Sequence, residues 1–160
     1  MNTFLMPAEW EKHESVWLAW PYDVTTFPVN LSGVRQSFLE IVKAIHVGEK
    51  VNILVLNEET KQEVSTLGEK SGIDLNQVTF HIVSYADVWT RDYAPIFVKD
   101  IETGEWKAIK WIYNNYGNKF PELMKDDDVF FALKDVLGAE LVEPGIIMEG
   151  GSIEVNGRGT

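Results

Sequence analysis

The sequence predicts a mixed α/β fold, and three observations predict it. Short apolar runs rich in β-branched residues alternate with longer stretches whose apolar residues recur every three or four positions. Glycine and proline punctuate the boundaries between them. The chain has no long linker, no low-complexity tract and no clean internal repeat. The resulting order is β-α-β-α-β-β-β-α-β-β.

Taken in order, Val16 to Trp20 is short, apolar and stopped by Pro21, which suits a buried strand. Ser32 is a plausible helix start, and Val34, Phe38, Ile41, Val42 and Ile45 behind it share one helical face, with Gly48 as the stop. Val51 to Leu56 is a β-branched strand run, and a polar helical stretch follows from Glu58 to Lys70, closed by Gly72. Val78 to Tyr85 reads as a third strand. Ile96 to Val98 and Trp106 to Tyr113 form a predicted antiparallel pair joined by the polar loop Lys99 to Glu105, which carries Gly104. Asn114 to Pro121 has turn chemistry throughout. Asp126 is placed to cap a helix with Val129, Phe130, Leu133, Val136 and Leu137 on one side and Gly138 at its end. Strands are expected at Glu140 to Val142 and Ser152 to Val155. The second of these runs into Asn156-Gly157, a two-residue hairpin signal. The chain stops three residues later, so it reads as ending inside a structural unit.

Composition narrows the function classes. With 160 residues, 45% of them hydrophobic and 24% charged, the chain can bury a real core. A formal net charge of −11 argues against nucleic acid as a partner and favours small cations, guanidinium compounds among them. No apolar run approaches the roughly twenty residues needed to span a bilayer. The amino terminus lacks a basic leader and a cleavage site, so a cytoplasmic location is expected. Cysteine is absent, which excludes disulfides and thiolate metal sites within these residues. His13, His46 and His81 are scattered without ligand spacing, so no metal site is expected. His46 falls near a helix end, where a cation complements the helix dipole. Asp126 to Asp128 are explained as a helix start, and Trp10, Trp17, Trp20 and Tyr22 as core and edge packing.

Two segments can carry chemistry. Asp87 to Pro95 sets two carboxylates, an arginine and aromatic rings between two strands. A carboxylate such as Asp92 beside an indole such as Trp89 suits a planar cation, which takes charged hydrogen bonds from one and cation–π attraction from the other. The competing explanation is that Arg91 pairs with Asp87 or Asp92 and the rings fill the core. The second segment is Met148 to Ile153, where Glu149 precedes two glycines able to turn tightly and approach a ligand closely. On its own this is equally an ordinary turn with a solvated glutamate.

Three segments together resemble one family. Met6 to Pro21 resembles the opening motif of the agmatine deiminase and Porphyromonas-type peptidylarginine deiminase family. Val88 to Val98 resembles its Trp-x-Arg-Asp motif, and Met148 to Thr160 its Glu-Gly-Gly-Ser motif. They occur in the family's order and span nearly the whole chain. The resemblance implies a pentein-type α/β propeller, here the amino-terminal portion (residues 1–160) of a single truncated pentein domain covering about two of the five ββαβ units. It implies a hydrolase that converts a guanidino group to a ureido group with release of ammonia, agmatine to N-carbamoylputrescine in polyamine synthesis, without a cofactor. By resemblance Asp92 and Glu149 are guanidinium-binding carboxylates, Trp89 is a pocket wall and Arg91 is structural. The family's nucleophilic cysteine and its histidine base have no counterpart in this sequence, so the chain alone is expected to be inactive. The partner is then a small guanidino substrate such as agmatine, with a homo-oligomer left open. Ala94 replaces a glycine common in the central motif, and Asn115 to Asn118 departs from the Trp-Gly-Gly often found in agmatine deiminases. A peptidylarginine deiminase-like enzyme and a non-catalytic guanidinium-binding module are the alternatives.

Overall fold

The computed structural model describes residues 4–159. Thr160, the last residue of the third motif, and residues 1–3 lie outside the described residues. The chain forms two compact units, one of residues 13–90 and the other of residues 1–12 with 91–160.

The unit of residues 13–90 is a three-stranded parallel sheet with helical crossovers. Its strands are β2 (Ser15–Ala19), β3 (Lys50–Val55) and β4 (Val78–Ile82), with β3 in the middle. Helix α1 (Leu31–Ile45) connects β2 to β3, and α2 (Glu58–Lys70) connects β3 to β4. Parallel neighbours require such crossovers, which is why helical and strand periodicity alternate so regularly here. The register sets Val16 beside Val51 and Val51 beside Val78. Val51, Ile53 and Val55 of β3 then meet Leu39 and Val42 of α1 and Val64 of α2 in one buried core, with Trp20 and Ile73. Each such aliphatic side chain contributes about 1.5–3 kcal/mol by leaving water.

Helix α1 begins one residue before the expected Ser32, because Asn30 rather than Ser32 is its cap. The Asn30 side chain accepts from the Gly33 backbone N–H at 2.9 Å. Its buried face also differs from expectation. Leu39 is buried with Val42, whereas Ile41 is 50% exposed. Ile41 lies at the edge of the stripe, where helical spacing alone does not separate core from rim. His46 closes the helix as expected, its Nδ1 lying 2.8 Å from the Lys43 carbonyl and 3.2 Å from that of Val42. Helix α2 starts and stops as expected, with Asn57 accepting from Thr60 N–H and Gly72 at φ +82° after its end.

Strand β4 is shorter than the run Val78 to Tyr85. Val83 N–H still donates to the Val55 carbonyl at 3.0 Å, and beyond it the buried Tyr85 hydroxyl donates to the Trp20 carbonyl at 2.6 Å. On the sheet face opposite the helices, Trp17 stacks on His81 at 4.6 Å between ring centroids, and His81 Nε2 lies 2.9 Å from the Asn52 side-chain oxygen. Burial holds the His81 pKa below its ordinary value. As pH falls the unfolded chain therefore takes up this proton first. Stability should drop between pH 6.5 and the lowered folded-state pKa. Chemical denaturation at several pH values is expected to show a shallower slope in this window for His81→Gln than for the wild type. Equal slopes would remove His81 as the cause.

The other unit holds a four-stranded sheet in the order β1-β5-β6-β7, formed by Phe4–Leu5, Ile96–Asp100, Trp106–Ile109 and Glu140–Val142. The expected antiparallel pairing of β5 with β6 is present, and their loop turns through Gly104 at φ +78°. Asp100 is buried and accepts the Glu102 and Thr103 N–H groups inside that turn. Strand β1 pairs antiparallel with β5, and β7 runs parallel to β6. The two-residue β1 carries no periodicity to predict it. Strand β6 ends at Ile109 rather than Tyr113, although Ile112 continues the same direction through a bridge to Ile147.

Three further expectations for this unit are corrected. The helix expected from Asp126 instead begins at Pro121 as a 3-10 segment, Pro121–Asp128, followed by short turns Val129–Ala132 and Lys134–Val136. Asp126 is buried inside it rather than capping it, and Val136 is 54% exposed. The acidic run leads into the short helix Val129–Ala132, and its Asp127 has a buried partner. Lys110, only 2% exposed, donates to Asp127 Oδ1 at 2.5 Å and to the Trp111 carbonyl at 2.6 Å, while Tyr113 N–H donates to the same Asp127 oxygen. A buried ammonium needs such partners, and they draw the acidic run inward. Ser152 to Val155 is not a strand. Ser152 donates to the Glu149 carbonyl through both N–H and Oγ, closing the 3-10 turn Gly150–Ser152. Finally, Trp10 is 77% exposed and packs neither core nor edge, unlike the fully buried Trp20.

Among the described residues no helix is long and apolar enough to cross a membrane.

Candidate functional site

Asp92 is placed by one helical turn, Thr90–Tyr93. Tyr93 is buried and anchors the turn in its unit through ring contacts with Tyr113 and Phe130. Pro95 stops the turn and starts the run into β5. The Asp92 carboxylate is half-buried, and both its oxygens are held. Oδ1 accepts the Gly151 N–H at 3.1 Å, and Oδ2 accepts the Tyr116 hydroxyl at 2.7 Å. Arg91, its neighbour, forms its ion pair with Glu9 of the opening motif rather than with Asp87 or Asp92.

The two glycines of the Glu-Gly-Gly-Ser segment are explained by this contact. A methyl group at residue 150 would fall 2.3 Å from the Arg91 carbonyl oxygen, and one at residue 151 would fall 2.3 Å from Asp92 Oδ1. The close approach that glycine permits is therefore made by the Arg91–Asp92 backbone and carboxylate. Glu149 opens the turn in extended conformation, with φ −88° and ψ 134°. Its side chain is half-buried, and among the described residues its carboxylate forms neither a hydrogen bond nor an ion pair. Gly151 thus ties Asp92 to the turn that Glu149 begins. Among the described residues neither carboxylate meets a cationic side chain.

Gly157, from the expected hairpin signal, has φ +71° and lies against Ala8, where a methyl group would meet the Ala8 nitrogen at 2.7 Å. The third motif therefore packs on the first, through Ala8, as well as on the second.

Trp89 belongs to the unit of residues 13–90. It is 50% exposed, and its indole N–H donates to Asp87 Oδ2 at 3.1 Å. Asp87 is buried and also accepts from Val88 N–H and the Thr26 hydroxyl. Asp87 thus joins its own loop to the segment of Thr26. Among the described residues no group of three or more His, Cys, Asp or Glu is arranged to hold a metal ion.

Tyr116 is the residue that sequence reasoning missed. Its segment was legible as a turn, but nothing local indicates that a tyrosine 24 positions from Asp92 reaches its carboxylate.

The two carboxylates thus sit on separate turns of a mixed α/β protein, joined through the Gly151 N–H on Asp92. The family model for Porphyromonas-type peptidyl-arginine deiminase matches residues 5–160, and the chain belongs to that family. It is 28% identical over 162 residues to the agmatine deiminase of Stutzerimonas stutzeri, an alignment covering 98% of this chain and 42% of the relative. Among solved structures, the agmatine deiminase of Enterococcus faecalis superposes with a TM-score of 0.81 at 26% identity, covering 98% of this chain and 42% of that one. A cysteine-to-serine variant of C. jejuni agmatine deiminase with substrate bound gives a TM-score of 0.81 at 26% identity, covering 99% and 44%. The chain thus spans less than half the length of the relatives it matches.

Proposed function

We propose that the polypeptide carrying this chain is an agmatine deiminase-like hydrolase, and that these residues supply its guanidinium-binding carboxylates. The observation that carries the reading is the Asp92 carboxylate, fixed by two donors against the turn opened by Glu149 and unpaired with any protein cation among the described residues. Two such carboxylates offer a guanidinium paired charged hydrogen bonds. Trp89, whose N–H donates to Asp87, is assigned a substrate-binding role by family resemblance alone.

In this reading a cysteine thiolate from outside these 160 residues attacks the guanidinium carbon. A C–N bond breaks and ammonia leaves with a proton delivered by a histidine. Water then adds to the amidino-thioether, the C–S bond breaks, and the ureido product and the thiol are released. Asp92 and Glu149 hold the cationic group in line for attack, so this chain binds substrate and does not turn it over alone. No cofactor enters these steps. The fold reading is a pentein, supported by the succession β5, β6, helical segment, β7, which has the ββαβ order of that fold's repeat. The chain is then the amino-terminal part of that domain. With agmatine as substrate the enzyme would serve polyamine synthesis, and a cytoplasmic location is part of the same proposal.

The second reading is peptidyl-arginine as substrate, favoured by the description of the matching family. Assaying the full polypeptide with agmatine and a peptidyl-arginine substrate side by side, by ureido product, decides between them. Turnover of agmatine is expected. Turnover of the peptide alone would exchange the two readings, and turnover of neither would sink the hydrolase.

A further inference from the structure

Four consecutive residues, Asn115, Tyr116, Gly117 and Asn118, have left-handed backbone, with φ of 57°, 57°, 77° and 60°. Glycine and asparagine tolerate this region, but a tyrosine there is strained. Strain of this kind persists only where the surroundings over-determine it. Here they do. Asn114 Oδ1 accepts the Gly117 N–H at 2.9 Å, and Lys119 N–H donates to the Asn115 carbonyl at 3.1 Å. The Tyr116 ring lies edge-on to Tyr113 on one side, at 5.5 Å, and to Phe120 on the other, at 6.1 Å. This arrangement brings the hydroxyl onto Asp92 Oδ2 at 2.7 Å.

We propose that Tyr116 is a positioning residue that sets the orientation of the Asp92 carboxylate for a guanidinium ligand. The inference rests on the guanidinium reading given above and deepens it. A carboxylate rotates freely about its last bond unless both oxygens are held. Gly151 holds Oδ1 through a backbone N–H, and Tyr116 is the donor that holds Oδ2. Each oxygen keeps further lone-pair capacity, so the fixed carboxylate can still accept two parallel N–H groups from a guanidinium. Burial and the bond to Asp92 push the Tyr116 phenol above the usual tyrosine range. It therefore remains a donor at neutral and moderately alkaline pH.

The test is calorimetric titration with agmatine of the full polypeptide, its nucleophilic cysteine replaced by alanine so that the ligand is not turned over, comparing wild-type Tyr116 with Tyr116→Phe. Phenylalanine keeps both edge-on ring contacts and loses only the hydroxyl. Agmatine is expected to bind about tenfold more weakly to the variant, because a hydrogen bond to a charged group is lost, with the thermal midpoint nearly unchanged. A purely structural role would lower the midpoint and leave affinity intact. Wild-type binding with equal affinity in Tyr116→Phe would overturn the positioning role while leaving the guanidinium reading standing. Absence of agmatine binding by the wild type would overturn both. Should Tyr116→Phe not fold, a crystal structure of the agmatine complex decides: Asp92 Oδ2 held by the Tyr116 hydroxyl while the carboxylate meets the guanidinium is expected, and a guanidinium-bound Asp92 released from Tyr116 would overturn the proposal.

Discussion

Asp92→Asn in the full polypeptide is expected to lower kcat/KM for agmatine by about a thousandfold, roughly 4 kcal/mol of lost interaction with the guanidinium. The substitution preserves shape and removes the charge. The asparagine oxygen can still accept the Gly151 N–H, so the turn keeps its partner. Glu149→Gln should cost activity to a similar degree, with a different stability signature. Among the described residues the Glu149 carboxylate forms no hydrogen bond or ion pair, so its charge supports no native contact there. Its replacement is expected to leave the thermal midpoint unchanged or slightly raised, the pattern of a site that trades stability for binding. Steady-state kinetics beside a thermal melt checks both variants. Full activity in Glu149→Gln would remove Glu149 from the site.

The second large effect concerns the glycines. Gly150→Ala places a methyl group against the Arg91 carbonyl oxygen at 2.3 Å, and backbone cannot yield cheaply. A destabilisation of about 2–3 kcal/mol is expected, at the upper end of overpacking penalties. Gly151→Ala meets the Asp92 carboxylate oxygen at the same distance, and a side chain can swing away. Its cost in stability should be nearer 1 kcal/mol. The displaced carboxylate, however, loses the Gly151 N–H, so kcat/KM is expected to fall about a hundredfold. Denaturant melts and kinetics on the pair should therefore separate, with stability dominating at 150 and activity at 151. Equal, small effects at both positions would contradict the packing of the Glu-Gly-Gly-Ser turn on Arg91 and Asp92.

How much of this was legible depends on the range of the interactions. Helix α2, with Asn57 before it and Gly72 after it, is specified by its own residues, and its limits were read correctly. The β5–β6 pairing was legible too, through its local Gly104 turn, although β6 ends at Ile109 rather than Tyr113. The carboxylates of the candidate site stood out as motif residues. What each one touches did not. Lys110 reads as one lysine among strand residues, and only the fold brings Asp127 to it, 17 positions on. That pairing adds a buried contact that the helix-start reading of Asp126 to Asp128 does not contain. Tyr116 is hidden for a related reason, since four successive left-handed residues obey neither helical nor strand periodicity. The Ser152 to Val155 run was misread because its alternation suits a strand, whereas Ser152 closes a turn on the Glu149 carbonyl.

The central claim is that Asp92 and Glu149 hold a guanidinium. Its most direct test is a crystal structure of the full polypeptide soaked with agmatine and flash-cooled. The account predicts the guanidinium nitrogens within hydrogen-bond distance of both carboxylates, with Asp92 still held by Gly151 and Tyr116. Agmatine bound elsewhere, with these carboxylates paired to arginine or lysine of the same polypeptide, would contradict it.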